Sequence, residues 1–256
     1  MAGSLDSVRQ KIDWAKAHLK TLDTETRRYL DSEMCELVFE RNPNAKIHAQ
    51  RLNILIPIPE NIPLMIGDCI HNLRCALDYL VWQLVLAAGN KPEECNQFPI
   101  CITAQAFEDA TINRKRSNRL KGVAPDAVAE IERAQPYIAC KGKETHSTLY
   151  YLQYLSNTDK HRRVVVAVAR GAGYNTIFDE SGNRISGFPT PRYDGTESRV
   201  GYIPPTATQK VQVQTSFVPF IAFDEGLPTD YDVRIIIDKI CASIEKTLLP
   251  KFERFF

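Results

Sequence analysis

At 256 residues, with 44% hydrophobic and 25% charged side chains, the chain has the composition of a folded globular protein and not of a disordered or fibrous one. The balance of 32 Lys and Arg against 31 Asp and Glu leaves a formal charge of +1; this excludes a global field for nucleic acid or anionic lipid, so any polyanion has to be held by a local patch. The longest apolar runs are broken by Gln83 or by Pro57 and Pro59 and fall short of the roughly 18–20 residues of a spanning helix; with no signal-peptide core in MAGSLDSVRQKIDW, the expectation is a cytoplasmic protein without a membrane segment.

In chain order, Ser4 to about Ser32 reads as an amphipathic helix, with Val8, Ile12, Ala15, Leu19 and Leu22 near helical spacing and Ser4 or Ser7 as N-cap. CELVFER, a turn at Asn42-Pro-Asn44 and IHAQRLNILIPIP then predict a β-hairpin that Pro57 and Pro59 end. Asn61 caps the next helix and Pro63 sits in its first turn, where a missing N–H costs little. That helix, Pro63 to Ala88, is closed by Gly89-Asn90. It is the stretch on which the chain is organised. Ile66, Cys69, Ile70, Leu73, Leu77, Leu80, Val81 and Leu84 form its core-facing stripe. The other face carries Asp68, His71, Asn72, Cys75, Asp78, Tyr79 and Trp82, where a solvated face would carry Lys, Glu and Gln. The expectation is that this face is covered too, so its polar groups need internal partners; each one left unpaired costs about 1–3 kcal/mol.

The connection NKPEECNQFPICIT tucks Phe98-Pro-Ile100 against the core as an extended segment, Thr103 opens a short helix, and another runs from Pro125 to Ala134. Asn113 to Lys121, NRKRSNRLK, is either a solvated loop or the local patch for phosphate. Glu144 to Arg162 predicts a second informative helix, with His146, Tyr150, Gln153, Asn157 and Lys160 or His161 in one polar stripe and Tyr151, Leu152 and Leu155 opposite. Asp159 and Arg162 lean to the apolar side and need ion-pair partners, for which Arg74 and Asp78 are candidates.

Beyond it the chain turns to strands: VVVAVARG, RVGYIP and KVQVQTSFVPFIAFD, with a Gly/Asp/Ser/Pro-rich excursion from Gly171 to Ser198 and a candidate hairpin pairing Thr176–Asp179 with Asn183–Ser186. Tyr231 to Phe256 is a closing helix with the stripe Val233, Ile236, Ile237, Ile240, Ile244 and Leu248. The expectation is one α+β domain over 1–256, its long helices packed together and against an antiparallel sheet. Within it lie a polar helical centre at 63–163, a strand-rich part at 164–225 and the closing helix at 231–256. Seven cysteines without a CxxC pair or zinc spacing read as packed thiols in a reducing compartment, and no cofactor is implied.

GDCIHNLRCALDYLVWQL, then FPI, then LxxLxNTDKHR, resembles a group of uncharacterised bacterial proteins with the pattern GDxxHNLRxALDxL…FPI…DKHR. That resemblance implies a shared site made of Asp68, His71, Asn72, Arg74 and Asp78 with Asn157, Asp159, Lys160, His161 and Arg162. A remoter resemblance is to HEPN domains, helical bundles whose active members are metal-independent ribonucleases using an Arg, a short spacer and a His. Here His71 precedes Arg74, the later helix ends Lys160-His161-Arg162, and the Arg-x6-His spacing occurs at Arg41 and His48 in the predicted hairpin.

Three functions stay open. In an enzyme acting on RNA or a phosphorylated small molecule, His71 and His161 are general acid and base, while Arg74, Lys160 and Arg162 hold the anion. In a binding or structural protein, alone or as a homo-oligomer, Arg74, Asp78, Asp159 and Arg162 are a buried ionic clamp between helices. In a metal protein, Asp68, His71, Asp159 and His161 are the ligands; the expectation is that no metal is bound. Cys69 and Cys75 flank His71, but Cys69 falls on the apolar arc and Cys75 has no strand-to-helix elbow to mark it as a nucleophile.

Overall fold

The computed structural model describes residues 3–40, 49–111, 118–164, 166–178, 181–190, 212–224, 227 and 231–256. These form an α+β protein in two compact units. One unit comprises Met1–Asp23, Pro63–Val164 and Arg234–Phe256, and the other Thr24–Ile62 and Val165–Val233. No helix among the described residues is long and apolar enough to cross a membrane.

The first unit is built on three long helices, α1 (Asp6–Leu30, whose last turns belong to the second unit), α2 (Asn61–Ala87) and α6 (Thr148–His161), with α7 (Val233–Ala242) against α1. α1 and α2 run antiparallel. Ser4 N–H donates to Gln83 Oε1 at 3.0 Å, Lys11 Nζ to Asn72 Oδ1 at 3.1 Å and the Cys69 thiol to Ala15 O at 3.7 Å, so positions fall along one helix as they rise along the other. α1 and the C-terminal segment are laced by three ion pairs from positions a heptad apart on α1: Arg9–Glu253 at 2.8 Å, Lys16–Glu245 at 2.5 Å and Asp23–Arg234 at 2.6 Å. Residues seven apart lie on one side of a helix, which is why one face of α1 meets all three partners. The core beneath is continuous along α2, where Ile66, Ile70, Leu73, Leu77, Leu80 and Val81 are fully buried.

The ends of these helices follow local chemistry. Gly89, at φ 75°, ends α2. Its N–H bonds Leu86 O, and Asn90 N–H bonds Val85 O, the paired hydrogen bonds of a left-handed cap that a side chain would strain. α6 begins later than the sequence predicts. Ser147 is extended (ψ 148°), and its hydroxyl accepts the Tyr150 N–H at 3.1 Å. A capping serine stops a helix from propagating backwards, so Glu144–His146 is only a 3-10 turn and His146 leaves the predicted polar stripe. Among the described residues three shorter helices, α3 (Ala104–Thr111), α4 (Pro125–Arg133) and α5 (Pro136–Ala139), lie between α2 and α6. The closing segment is also not one α-helix: beyond Ala242 it widens into a π-helical turn at Ser243–Leu248 and then 3-10 turns. Pro250 has no N–H and its ring opposes the carbonyl four residues back, so regular α geometry cannot continue there.

In the second unit, β1 (Cys35–Glu40) and β2 (Ala49–Ile54) form the expected antiparallel hairpin, registered from Cys35↔Ile54 to Glu40↔Ala49. A separate antiparallel sheet has the order β4-β3-β5, made of β3 (Val166–Phe178), β4 (Arg184–Thr190) and β5 (Gln212–Phe223). The hairpin expected around residue 180 is present, with Ile177↔Ser186 and Phe178↔Arg184. The excursion expected from Gly171 is in its first part strand, since β3 continues through Gly171-Ala-Gly173 with a register shift between Arg170 and Gly173. Glycines that look like loop in a sequence are tolerated in a strand at such an irregularity. RVGYIP, the Asn42-Pro-Asn44 turn, the Arg41–His48 spacing and the basic residues 113–117 fall outside the described residues.

Candidate functional site

The residues expected to form one centre separate into a buried clamp and an open strip, both within the first unit. Phe98 explains the clamp. Its ring is fully buried, and a buried residue outside a helix or strand must still satisfy its backbone N–H and C=O. Two side chains one helical turn apart on α2 do this. Asp78 Oδ1 accepts the Phe98 N–H at 2.9 Å, while Arg74 Nη2 donates to Phe98 O at 2.5 Å and to Asp78 Oδ1 at 2.8 Å. Arg74 Nη1 then reaches α6 at Gln153 Oε1, 3.3 Å away, and Gln153 Nε2 donates to Asn157 Oδ1 at 2.9 Å. Arg74 is only 7% exposed. The FPI segment is pinned again at Cys101, whose N–H donates to the buried Gln135 Oε1 at 2.9 Å.

The open strip corrects the expectation that the second face of α2 is covered. Asp68, His71, Tyr79 and Trp82 are exposed, and Cys75 is half-buried. At 100° per residue these five side chains span an arc of about 80°. On one flank Asn72 and Gln83 bond Lys11 and Ser7 of α1; on the other Gly67 and Arg74 meet α6. The helices that bury α2 therefore approach it from its two sides and leave the stripe between them facing solvent.

Several charged groups converge on this strip. Gly67 lets α6 come close: a Cβ there would lie 2.8 Å from Asp159 Oδ1. Burial pushes the Asp159 carboxyl above its ordinary range, the Asp68 charge adds to this, and His71 opposes it, which places Asp68, His71 and Asp159 in one electrostatic neighbourhood. Cys75 Sγ lies 3.4 Å from His71 Nε2. Burial also pushes the Cys75 thiol up, against the pull of Lys11, Arg74 and Lys160 and with the help of Asp78. From α1, His18 Nδ1 stands 4.0 Å from Asp68 Oδ2 with Trp14 edge-on to its ring, and Lys11 Nζ lies 5.7 Å above the centre of the Tyr79 ring.

Asp68, His71, Asp159 and Lys160 thus belong to the strip, with Asn72 at its edge. Arg74, Asp78 and, through Gln153, Asn157 belong to the clamp. His161 and Arg162 are exposed. On the helix His161 stands about 200° from Asp159, on the side away from α2, so it does not share the His71 neighbourhood. The partners that sequence reasoning missed are Lys11, His18 and the backbone of Phe98. Lys11 and His18 share the outer side of α1 with Trp14, a combination of aromatic and cationic groups that is legible as a pattern. Among the described residues no group of three or more His, Cys, Asp or Glu side chains is arranged to hold a metal ion. Of the basic run, the described end serves the fold: Lys121 pairs with Glu93 at 2.7 Å, and Arg119 O accepts the Gln97 N–H. Two cavities, one lined by Arg9, Ile12, Asp13, Glu245, Leu249 and Glu253 and the other by Asp126, Ala129, Arg133, Arg254 and Phe255, contain none of the expected site residues.

No protein-family model, curated protein or solved structure matches the chain.

Proposed function

We propose that this chain is a non-catalytic binding protein of the cytoplasm, in which the Arg74–Asp78 clamp is structural and the open strip of α2 is the contact surface for an anionic, phosphate-bearing ligand. The observation that carries the reading is the engagement of Arg74. A guanidinium that is 7% exposed and bonded to Asp78, Phe98 O and Gln153 has its donors directed into the fold, so it supports the protein and is not free to grip a substrate. The strip outside it offers Lys11 and Lys160 as cations and Tyr79 and Trp82 as exposed rings, a combination suited to a phosphate attached to a flat group such as a base. The Arg, Asp and FPI positions of the GDxxHNLRxALDxL…FPI pattern coincide with the clamp, which supports reading that pattern as a stapled structural unit. Seven free thiols support a reducing compartment.

A second reading, metal-independent processing of RNA or another phosphoester as in HEPN-like ribonucleases, is favoured by the exposed His71 with Asp68 and Asp159 around it. Its partner histidine would be His18 and not His161, because His18 is the one that reaches Asp68. Fluorescence anisotropy with a labelled RNA panel and nucleotides, followed by gel analysis of the same mixtures, separates the two. Binding that Lys11→Ala and Lys160→Ala weaken, with the RNA left intact, is the expected result. Cleavage lost in His71→Ala at unchanged melting temperature would replace it with the second reading, and no binding at all would overturn both.

A further inference from the structure

Cys75 differs in its surroundings from Cys69, Cys95, Cys101 and Cys241. Cys69, Cys101 and Cys241 are buried, and burial pushes Cys69 up to about 12 and Cys241 up to about 11. Cys95 is half-buried beside acceptors, with its thiol directed at Asn118 O and Glu93 Oε2. Cys75 instead has an imidazole nitrogen 3.4 Å from its sulfur, one helical turn away on the same open strip. The charged groups that face it come from every helix packed there: Lys11 from α1, Arg74 and Asp78 from α2, and Lys160 from α6. Around its base His71 are the carboxylates of Asp68 and Asp159. Arg74 and Asp78 neutralise each other within the clamp, which leaves Lys11, bonded to Asn72, and Lys160 as the cations whose charge reaches the sulfur. The neighbourhood therefore combines a half-buried thiol, an imidazole nitrogen within hydrogen-bond reach of it, and lysines from two helices alongside the carboxylates of Asp68 and Asp159.

We infer that Cys75 is a thiol–disulfide exchange site for small anionic disulfides, with His71 as its base and Lys11 and Lys160 as the groups that draw the disulfide in. At attack the Cys75 thiol proton passes to His71 Nε2, and the thiolate electron pair forms a bond to one sulfur of the disulfide R–S–S–R. The S–S bond of that disulfide breaks, and its second half leaves with the bonding electrons as a thiolate and takes the proton back from His71. Cys75 is oxidised to a mixed disulfide, one half of the small disulfide is reduced to a thiol, and no other oxidant enters. Exchange depends on the thiolate fraction of the attacking sulfur; burial pushes the Cys75 thiol up, so a base within hydrogen-bond reach of the sulfur raises the rate.

The site shares the strip with the proposed ligand but does not depend on that reading, because its readout is a covalent mass on one cysteine and not reversible binding. The test incubates the full-length protein with oxidised glutathione at pH 7 and follows each cysteine by peptide mass spectrometry, with cystamine as the cationic comparison. Cys75 is expected to gain the adduct at least about tenfold faster than Cys95 or Cys140, and His71→Gln to remove about that factor. Lys11→Ala and Lys160→Ala are expected to slow glutathione disulfide and spare cystamine. His71→Ala serves as a second variant should His71→Gln lower the melting temperature, and all rates are taken well below the transition. Modification of Cys75 no faster than Cys140, or an unchanged rate in the folded His71 variants, would overturn the inference. So would equal rates for the anionic and cationic disulfides.

Discussion

Replacing Arg74 by Ala tests whether the clamp holds the first unit together. The change removes the donor to Phe98 O and the counter-charge of Asp78, together with a 3.3 Å bond to Gln153. An orphaned buried carbonyl costs about 1–3 kcal/mol. Breaking a fully buried ion pair costs about 3–5 kcal/mol, but the Asp78 side chain is 29% exposed and water will take up part of its charge. The expected loss is therefore about 3–4 kcal/mol in total, roughly a 10 °C fall in melting temperature for a protein of this size. Arg74→Lys should lose about half of that, because one ammonium cannot reach the Phe98 carbonyl and Asp78 with the fixed fork of a guanidinium. Urea titrations followed by far-UV circular dichroism, with Arg74→Met/Asp78→Leu as the double variant, measure the effect. Removing both charges leaves neither uncompensated but also takes the Asp78 acceptor from the Phe98 N–H, a second orphaned backbone group at about 1–3 kcal/mol, so the double variant should be no more stable than Arg74→Ala. A loss below about 1 kcal/mol in Arg74→Ala would refute the clamp, since the pair would then be no stronger than an exposed one.

Gly67→Ala is expected to be neutral or destabilising in the wild type, because its Cβ meets Asp159 Oδ1 at 2.8 Å. Once Asp159→Ala has removed that carboxylate, the same change should stabilise by about 0.5–1 kcal/mol through helix propensity; paired melts give both values, and stabilisation of equal size in the two backgrounds would contradict the close approach. For Asp159 itself the folded-state value lies above the unfolded one, so the folded protein binds the proton more tightly, and this group's contribution to stability falls as pH rises from the ordinary carboxylate range through the raised value. Asp159→Asn should flatten that part of the stability–pH curve, and an unaltered curve would count against the placement of Asp159. Ser147→Ala, which deletes the cap of α6, should cost about 1 kcal/mol, read as a shift in urea midpoint without a change in slope.

Most of the helical layout was legible before any coordinates, because it rests on local rules. The apolar stripe of α2 and its glycine stop, the hairpin of β1 and β2 and the return of β3 into β4 are all written within a few neighbouring residues. Where a local device was overlooked, as with the serine that starts α6 or the proline that breaks the closing helix, the information was still in the chain. The division of the polar face of α2 was not. A period of 3.6 says which side chains share an arc, so Asp68, His71, Asn72, Cys75 and Asp78 could be grouped. It does not say where on that arc the next helix will land. Tertiary packing set α1 against Asn72, and α6 with the Phe98 segment against Gly67, Arg74 and Asp78. That choice turned two charges into backbone partners, left His71 exposed with Cys75 half-buried beside it and put His161 on the far side of its helix. Burial is a property of neighbours distant in sequence, and the same residue type becomes a staple or a reactive group according to what covers it.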